Sequence, residues 1–222
     1  MKTFSIAIDG PAGAGKSSIA KQIASKLTCI YIDTGAMYRA VGYYCMNQGI
    51  DYNEEAQVEK VVGKIQLRLS IKNEVQQIFL NEENVSSLIR NDQVAAAASK
   101  VATYKSVREA LVRMQQEMAE STSLVMDGRD IGTVVLPDAT LKIFLTASVE
   151  ERAKRRYKEY VEKGETPCLE TLRTEIRERD FQDSHRTISP LKKAEDAIEL
   201  DTTYMTIDEI VEEIIGLLNT RL

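Results

Sequence analysis

The chain has no tryptophan, one histidine, four prolines and three cysteines in 222 residues. Each scarcity removes a class of chemistry. A lone histidine, His185, excludes mechanisms that need a histidine pair. Cys29, Cys45 and Cys168 are odd in number, form no C-x-x-C pair and have no histidine cluster beside them. Neither a disulfide framework nor a zinc site follows, and a reducing cytoplasm fits best. No apolar run approaches a membrane span, and the run after Met1-Lys2-Thr3 meets Asp9 too soon for a signal segment. An excess of positive charge is also missing: 29 Lys plus Arg stand against 34 Asp plus Glu, a net charge of −5. Nucleic acid is therefore not expected as a partner, and any anion site must be local. What is present is 43% hydrophobic and 28% charged residues over a length that suits one domain with one core and some insertions.

Along the chain, Phe4 to Ile8 is a short apolar run ending at Asp9, followed by a glycine-rich turn. Ile19, Ile23, Ala24 and Leu27 then recur at helical spacing. Cys29 to Ile32 is a second strand, and Met37, Val41, Tyr44 and Cys45 mark a second helix that Gly49 stops. This β-α-β order predicts a parallel sheet. From about Lys64 the pattern changes: Ile65, Leu67, Leu69 and Ile71 alternate, Asn73-Glu74 reads as a turn, and Val75 to Leu80 returns. That is an antiparallel insertion. Helices near Asp92 to Ala102 and Ser106 to Ala119 are expected to cover the sheet, with Met37, Met114 and Met118 read as core. Leu124 to Met126 and Leu141 to Leu145 read as strands buried on both faces. Charged helices over Ser148 to Lys163 and Leu169 to Asp183, a strand at Ile198 to Leu200 and a closing amphipathic helix from Ile207 complete the reading.

Gly10-Pro11-Ala12-Gly13-Ala14-Gly15-Lys16-Ser17 satisfies G-x-x-x-x-G-K-S/T between a predicted strand and a predicted helix. Glycines permit the tight path whose N–H groups face inward, and the helix N-terminus adds positive potential. Lys16 can reach the β and γ phosphates of ATP, and the Ser17 hydroxyl can ligate Mg²⁺, so this is a triphosphate site. The motif by itself does not separate a kinase from a switch or a motor. N-K-x-D and a D-x-x-G after a strand, both needed by a switch GTPase, are absent.

Three segments then act together: Ile8 to Ser18, Asp33-Thr34-Gly35-Ala36-Met37-Tyr38-Arg39, and Asp127-Gly128-Arg129-Asp130-Ile131-Gly132-Thr133. With Pro137-Asp138-Ala139, Lys142 to Leu145, Glu151-Arg152-Ala153 and Glu178-Arg179-Asp180, they make nearly the whole chain resemble the bacterial cytidylate kinases. The resemblance implies an α/β P-loop NTPase core, a five-stranded parallel sheet flanked by helices. It adds a monophosphate-binding region with a small antiparallel sheet, and a short helical lid. Core segments would be 1–34, 105–147 and 166–222, the monophosphate-binding region 35–104 with its insertion at about 63–88, and the lid 148–165. The implied reaction is ATP-dependent phosphorylation of CMP and dCMP in pyrimidine nucleotide metabolism by a monomer. UMP or another acceptor is the alternative, and a nucleotide-dependent binding protein is the competing class.

By the same resemblance, residues Gly10 to Ser17 with Ser18 bind ATP, and Arg39 and Arg129 grip the acceptor phosphate, a role suited to a planar guanidinium. Ser99, Arg108, Asp130 and Arg186 match the cytosine-reading set, while Asp183 and Arg179 match the group at the ribose. Thr34 stands where relatives carry serine, keeping the hydroxyl and adding a methyl. Arg152, Arg155 and Arg156 have two readings: a solvated helix face, or lid guanidiniums over the transferring phosphoryl group. Arg152 and Arg156, four apart, share one face. Asp127 ends an apolar strand and reads as a group that orients Mg²⁺ or Lys16, not as a general base. His185 reads as a surface residue.

Overall fold

A computed structural model describes residues 3–72, 75–120 and 122–222. Its elements begin with β1 (Ser5–Asp9), α1 (Lys16–Leu27), β2 (Ile30–Asp33), α2 (Thr34–Asn47) and α3 (Glu55–Val62). There follow β3 (Leu67–Lys72), β4 (Val75–Leu80), β5 (Glu83–Asn84), α4 (Asp92–Val101) and α5 (Lys105–Ala119). The chain then forms β6 (Leu124–Gly128), a π-helical turn at Ile131–Val135, β7 (Leu141–Thr146), α6 (Val149–Glu162) and α7 (Leu169–His185). It closes with β8 (Ile198–Asp201) and α8 (Ile207–Asn219). The Asn73-Glu74 turn read from the sequence lies outside the described residues, as do Met1 and Lys2.

The large sheet runs β2-β6-β1-β7-β8, and the pairs of β1 with β6, β1 with β7, and β7 with β8 are parallel. Central β1 is apolar because both its faces are covered; Ile6 lies beside Val125 on one side and Leu141 on the other. The loop after Asp9 therefore opens at the carboxyl edge of the sheet, between two neighbouring strands, where open α/β sheets receive ligands. The fold class is the one the sequence implies. A three-stranded antiparallel sheet, β3-β4-β5, is the insertion.

Packing divides the chain into two compact units, Met1–Ile30 with Thr122–Leu222, and Tyr31–Ser121. The second unit encloses its own apolar cluster, which includes Met37, Val41, Ile78, Ile89, Val101, Val107 and Leu111. Helices α4 and α5, read from the sequence as covers for the large sheet, bury their apolar faces in this cluster with α2 and the small sheet. Small residues make the approach possible. A Cβ on Gly42 of α2 would stand 2.9 Å from the Ala98 backbone nitrogen of the alanine-rich α4.

Three elements escaped the sequence reading. Helix α3 has one fully buried residue, Val58, and Glu54 at its N-cap makes no side-chain cap, so its apolar stripe is short. Strand β5 has two residues. The π-helical turn has no pattern that distinguishes it from a loop. In the first unit, α6 and α7 pair around Ala153, Leu172 and Ile176. Ser148 caps α6, and Thr206 with Glu209 forms a capping box on α8.

Candidate active site

In the first unit the loop from Gly10 to Ser17 leaves β1 and enters α1. Gly10, Gly13 and Gly15 all have positive φ, and a Cβ on Gly10 would lie 2.2 Å from the Leu145 carbonyl oxygen of β7. That clash is with backbone and cannot be relieved by a rotamer. Gly10→Ala is expected to cost about 1–3 kcal/mol of stability and to displace the loop, lowering kcat at least tenfold. Thermal melting beside steady-state kinetics checks both.

Lys16 is the first residue of α1, is buried, and donates from Nζ to the Pro11 carbonyl at 2.7 Å. Its ammonium thus lies across the loop. Burial, then the nearby Arg129 charge, pushes Lys16 down to about 7, against the pull of Asp127, Asp183 and Asp9. Ser17 donates from Oγ to Asp127 Oδ2 at 2.9 Å. A hydroxyl and a buried carboxylate, both hard oxygen donors, suit Mg²⁺, which takes few protein ligands and keeps phosphate and water oxygens. No cluster of three or more His, Cys, Asp or Glu that could form an all-protein metal cage occurs among the described residues.

The loop is braced from outside. Thr202, fully buried just past β8, donates from Oγ1 to the Thr146 carbonyl at 3.0 Å, with the Ala14 carbonyl 3.3 Å away. Arg155 donates to the Thr202 carbonyl at 2.6 Å. Arg152 is 3% exposed, which removes the solvated-face reading for it. It donates to the Ala147 carbonyl at 2.9 Å, to the Ala12 carbonyl of the loop at 3.1 Å, and to both Asp180 oxygens at 2.9 and 2.6 Å. Arg156 donates to the Tyr160 hydroxyl at 3.0 Å and lies 3.7 Å from Glu175. The spacing of Arg152 and Arg156 holds, yet in this conformation both guanidiniums engage protein groups.

The acceptor-side candidates of this unit gather after β6 and along α7. Arg129 donates from Nε to Asp183 Oδ2 at 2.8 Å. Burial raises a carboxyl pKa, but the Arg129 guanidinium, with Arg179 and Arg186, holds Asp183 below its ordinary value. Arg129 itself is opposed by burial and raised by Asp183, Asp127 and Asp9. Arg186 donates to the Ser189 carbonyl at 2.6 Å and places Nη2 3.8 Å from Asp130 Oδ1. Lys16, Ser17, Asp127, Arg129 and Asp183 thus form one charge cluster. His185 is exposed and stacks on Phe181 at the end of α7.

The second unit holds the remaining candidates. Asp33 caps α2 through Ala36 N at 2.9 Å. Its Oδ2 accepts from Arg39 at 2.8 Å and lies 3.3 Å from Arg90. Burial works against ionisation of Asp33, and the two arginines outweigh it, keeping the carboxyl below its usual range. Gly35 matters here, since a Cβ would lie 3.1 Å from Arg39 Nη1. Thr34 is buried at the start of α2, and Ser99 is half-buried on α4. Arg108, buried on α5, donates to the Ala102 carbonyl at 3.3 Å and lies over the Tyr38 ring.

Sequence reasoning missed Asp9, Arg90, Thr202 and Gln76. Gln76 of β4 accepts from the Asp33 backbone N–H at 3.0 Å, tying the insertion to the α2 cap. Asp180 stood in a quoted motif without a role. Only Asp9 left a signal, as the charge that ends an apolar run.

A family model described as Cytidylate kinase matches residues 6–220. The chain is 50% identical over 222 residues to a cytidylate kinase of Leuconostoc mesenteroides subsp. mesenteroides, covering 100% of this chain and 99% of the relative. It is 52% identical over 218 residues to a cytidylate kinase of Bacillus thuringiensis (strain Al Hakam), covering 98% and 97%. Among solved structures, a gluconokinase from Sinorhizobium meliloti 1021 superposes with a TM-score of 0.52 at 15% identity, over 98% of this chain and 93% of that one. That likeness is one of fold.

Proposed function

Because the chain belongs to the cytidylate kinase family, we infer that it transfers the terminal phosphoryl group of ATP to CMP and dCMP. One observation carries the residue-level reading. Burial chiefly depresses Lys16, and repulsion from the mostly buried Arg129 adds to it. Phosphate oxygens between them would relieve that repulsion, and a donor and an acceptor phosphate supply such oxygens from two sides.

In this reading Gly10, Pro11, Ala12, Gly13, Ala14, Gly15, Ser17 and Ser18 cradle the donor and Lys16 neutralises its terminal phosphates. Ser17 and Asp127 would hold Mg²⁺, which when bound would neutralise charge on the donor phosphates. Arg129 grips the acceptor phosphate, as does Arg39 with Arg90 beside it. Thr34, Ser99, Arg108, Asp130 and Arg186 face cytosine, and Arg179 with Asp183 holds the ribose. The attacking phosphate oxygen is already ionised, so alignment and electrostatic stabilisation suffice and no general base is assigned. Arg152 and Arg156 belong to a lid over residues 148–165. For Arg152 to reach the phosphoryl group it must leave Asp180, so lid closure has a defined contact to break.

Steady-state assays across monophosphates test this. CMP and dCMP are expected to exceed UMP in kcat/KM by roughly 10²-fold or more, because uracil would leave buried partners of the cytosine amine unpaired. Equal values for UMP and CMP would overturn the cytosine assignment.

A further inference from the structure

We propose that Asp9 is a positioning residue for the acceptor half of the reaction, fixing the Arg129–Gly132 segment against the start of the phosphate loop. This rests on the assignment of Arg129 and Asp130 to the acceptor given above. Asp9 is the last residue of β1, directly before Gly10, and is 5% exposed. Its Oδ1 accepts from the Ile131 backbone N–H at 2.8 Å, and its Oδ2 accepts from the Gly132 N–H at 2.7 Å. The residues joined are 122 and 123 positions apart.

A carboxylate here needs a reason. It lies next to a loop built to receive a polyanion, so its charge opposes the ligand, and its burial is costly enough to push the carboxyl up to about 6. The two N–H groups supply the reason. They open the π-helical turn Ile131–Val135, and the first donors of any helical turn lack partners within it. Asp130, at the cap position, makes no side-chain cap. Asp9 reaches across from the neighbouring strand and accepts from both. The seat is close-fitting, since a Cβ on Gly132 would lie 3.4 Å from Asp9 Oδ2 and 3.2 Å from the Lys142 side chain. Lys142 itself turns its Nζ to Asp196 at 2.8 Å. Arg129 and Asp130 therefore project from a short segment held between β6 and this pair of charge-assisted hydrogen bonds. Loop and segment share one anchor, which sets the spacing between donor and acceptor groups. That spacing governs an in-line transfer.

Asp9→Asn keeps the shape but has one acceptor oxygen, and its amide group faces the second N–H. The expected signature is a roughly tenfold or larger rise in KM for CMP with a fall in kcat. ATP affinity, measured by titration without acceptor, is expected to stay within about threefold. Amide hydrogen exchange of Ile131 and Gly132 is expected to accelerate about tenfold or more, while β6 amides keep their protection. A residue that serves stability alone would lower the melting temperature and the active fraction, leaving KM for CMP unchanged. That outcome in a folded variant overturns the proposal, as does loss of ATP affinity equal to the loss for CMP. Should Asp9→Asn not fold, Asp9→Glu decides, because it keeps the charge while one added methylene displaces the acceptor oxygens from the Ile131 and Gly132 N–H groups. A raised KM for CMP in that variant supports the proposal, and a wild-type value overturns it. Failure of the underlying reading is visible separately, as absence of CMP-dependent ADP formation by the wild-type protein.

Discussion

Lys16→Ala is expected to lower kcat by about 10³-fold or more without lowering the stability of the ligand-free protein. Removing a single preorganised donor from developing transition-state charge costs about 2.7–4 kcal/mol in other enzymes, and Lys16 brings a full charge in a buried setting. At about 1.4 kcal/mol per tenfold, that is two to three orders of magnitude from hydrogen bonding before the charge is counted. Stability moves the other way for a stated reason. Burial and the Arg129 charge both work against the Lys16 ammonium in the folded chain, so the lysine is kept at a cost to folding. The melting temperature of Lys16→Ala should equal or exceed that of the wild type, while single-turnover transfer is nearly lost. Transfer within tenfold of wild type would remove Lys16 from the donor cradle.

Asp183→Ala is the second large effect, and it acts on stability and substrate binding together. The Arg129–Asp183 pair is mostly buried, with side-chain exposures of 20% and 10%. Breaking such a pair from one side leaves a buried charge uncompensated, at about 3–5 kcal/mol. For a chain of this size that corresponds to a fall in melting temperature of roughly 6–20 °C. The pH dependence has a definite sign. Although burial pushes the other way, Arg129 holds Asp183 below its ordinary value of 3.8. Its stabilisation is therefore complete above pH 3.8 and is lost as pH falls through the depressed folded value. The gap in melting temperature between wild type and variant should be flat through the neutral range and narrow below pH 3.8. A gap that widened in acid would contradict the ion-pair account. KM for CMP is expected to rise in the same variant, because Arg129 loses the carboxylate that aims it.

How much of this was legible beforehand depended on whether the signal was local. The phosphate loop could be read completely, since its chemistry needs a contiguous glycine pattern, and a strand and a helix flank it as expected. The strands of the large sheet were legible because burial on both faces leaves short apolar runs such as Ser5–Asp9 and Leu141–Thr146. Helix α3 was not, because one buried valine makes no stripe. The arginines of α6 show the opposite case. Their spacing was readable, but Arg152 became a buried group only through Asp180, 28 residues away, and the Ala12 carbonyl, 140 away.

The sequence alone determined that the chain carries a contiguous G-x-x-x-x-G-K-S motif with Lys16 and Ser17, the basis of the proposed triphosphate cradle, and that its motifs in order match the cytidylate kinases. A contiguous motif acts through its own backbone, so it needs no knowledge of the fold. Tertiary structure decided that the chain packs as two units with separate apolar cores. It also decided that Arg129 answers to Asp183, that Arg39 and Arg90 share Asp33, and that Asp9 holds the turn beyond Asp130. These pairings span from six residues to more than a hundred. Burial makes each one consequential, since a charged or polar group taken from water must find its partner wherever the fold brings one.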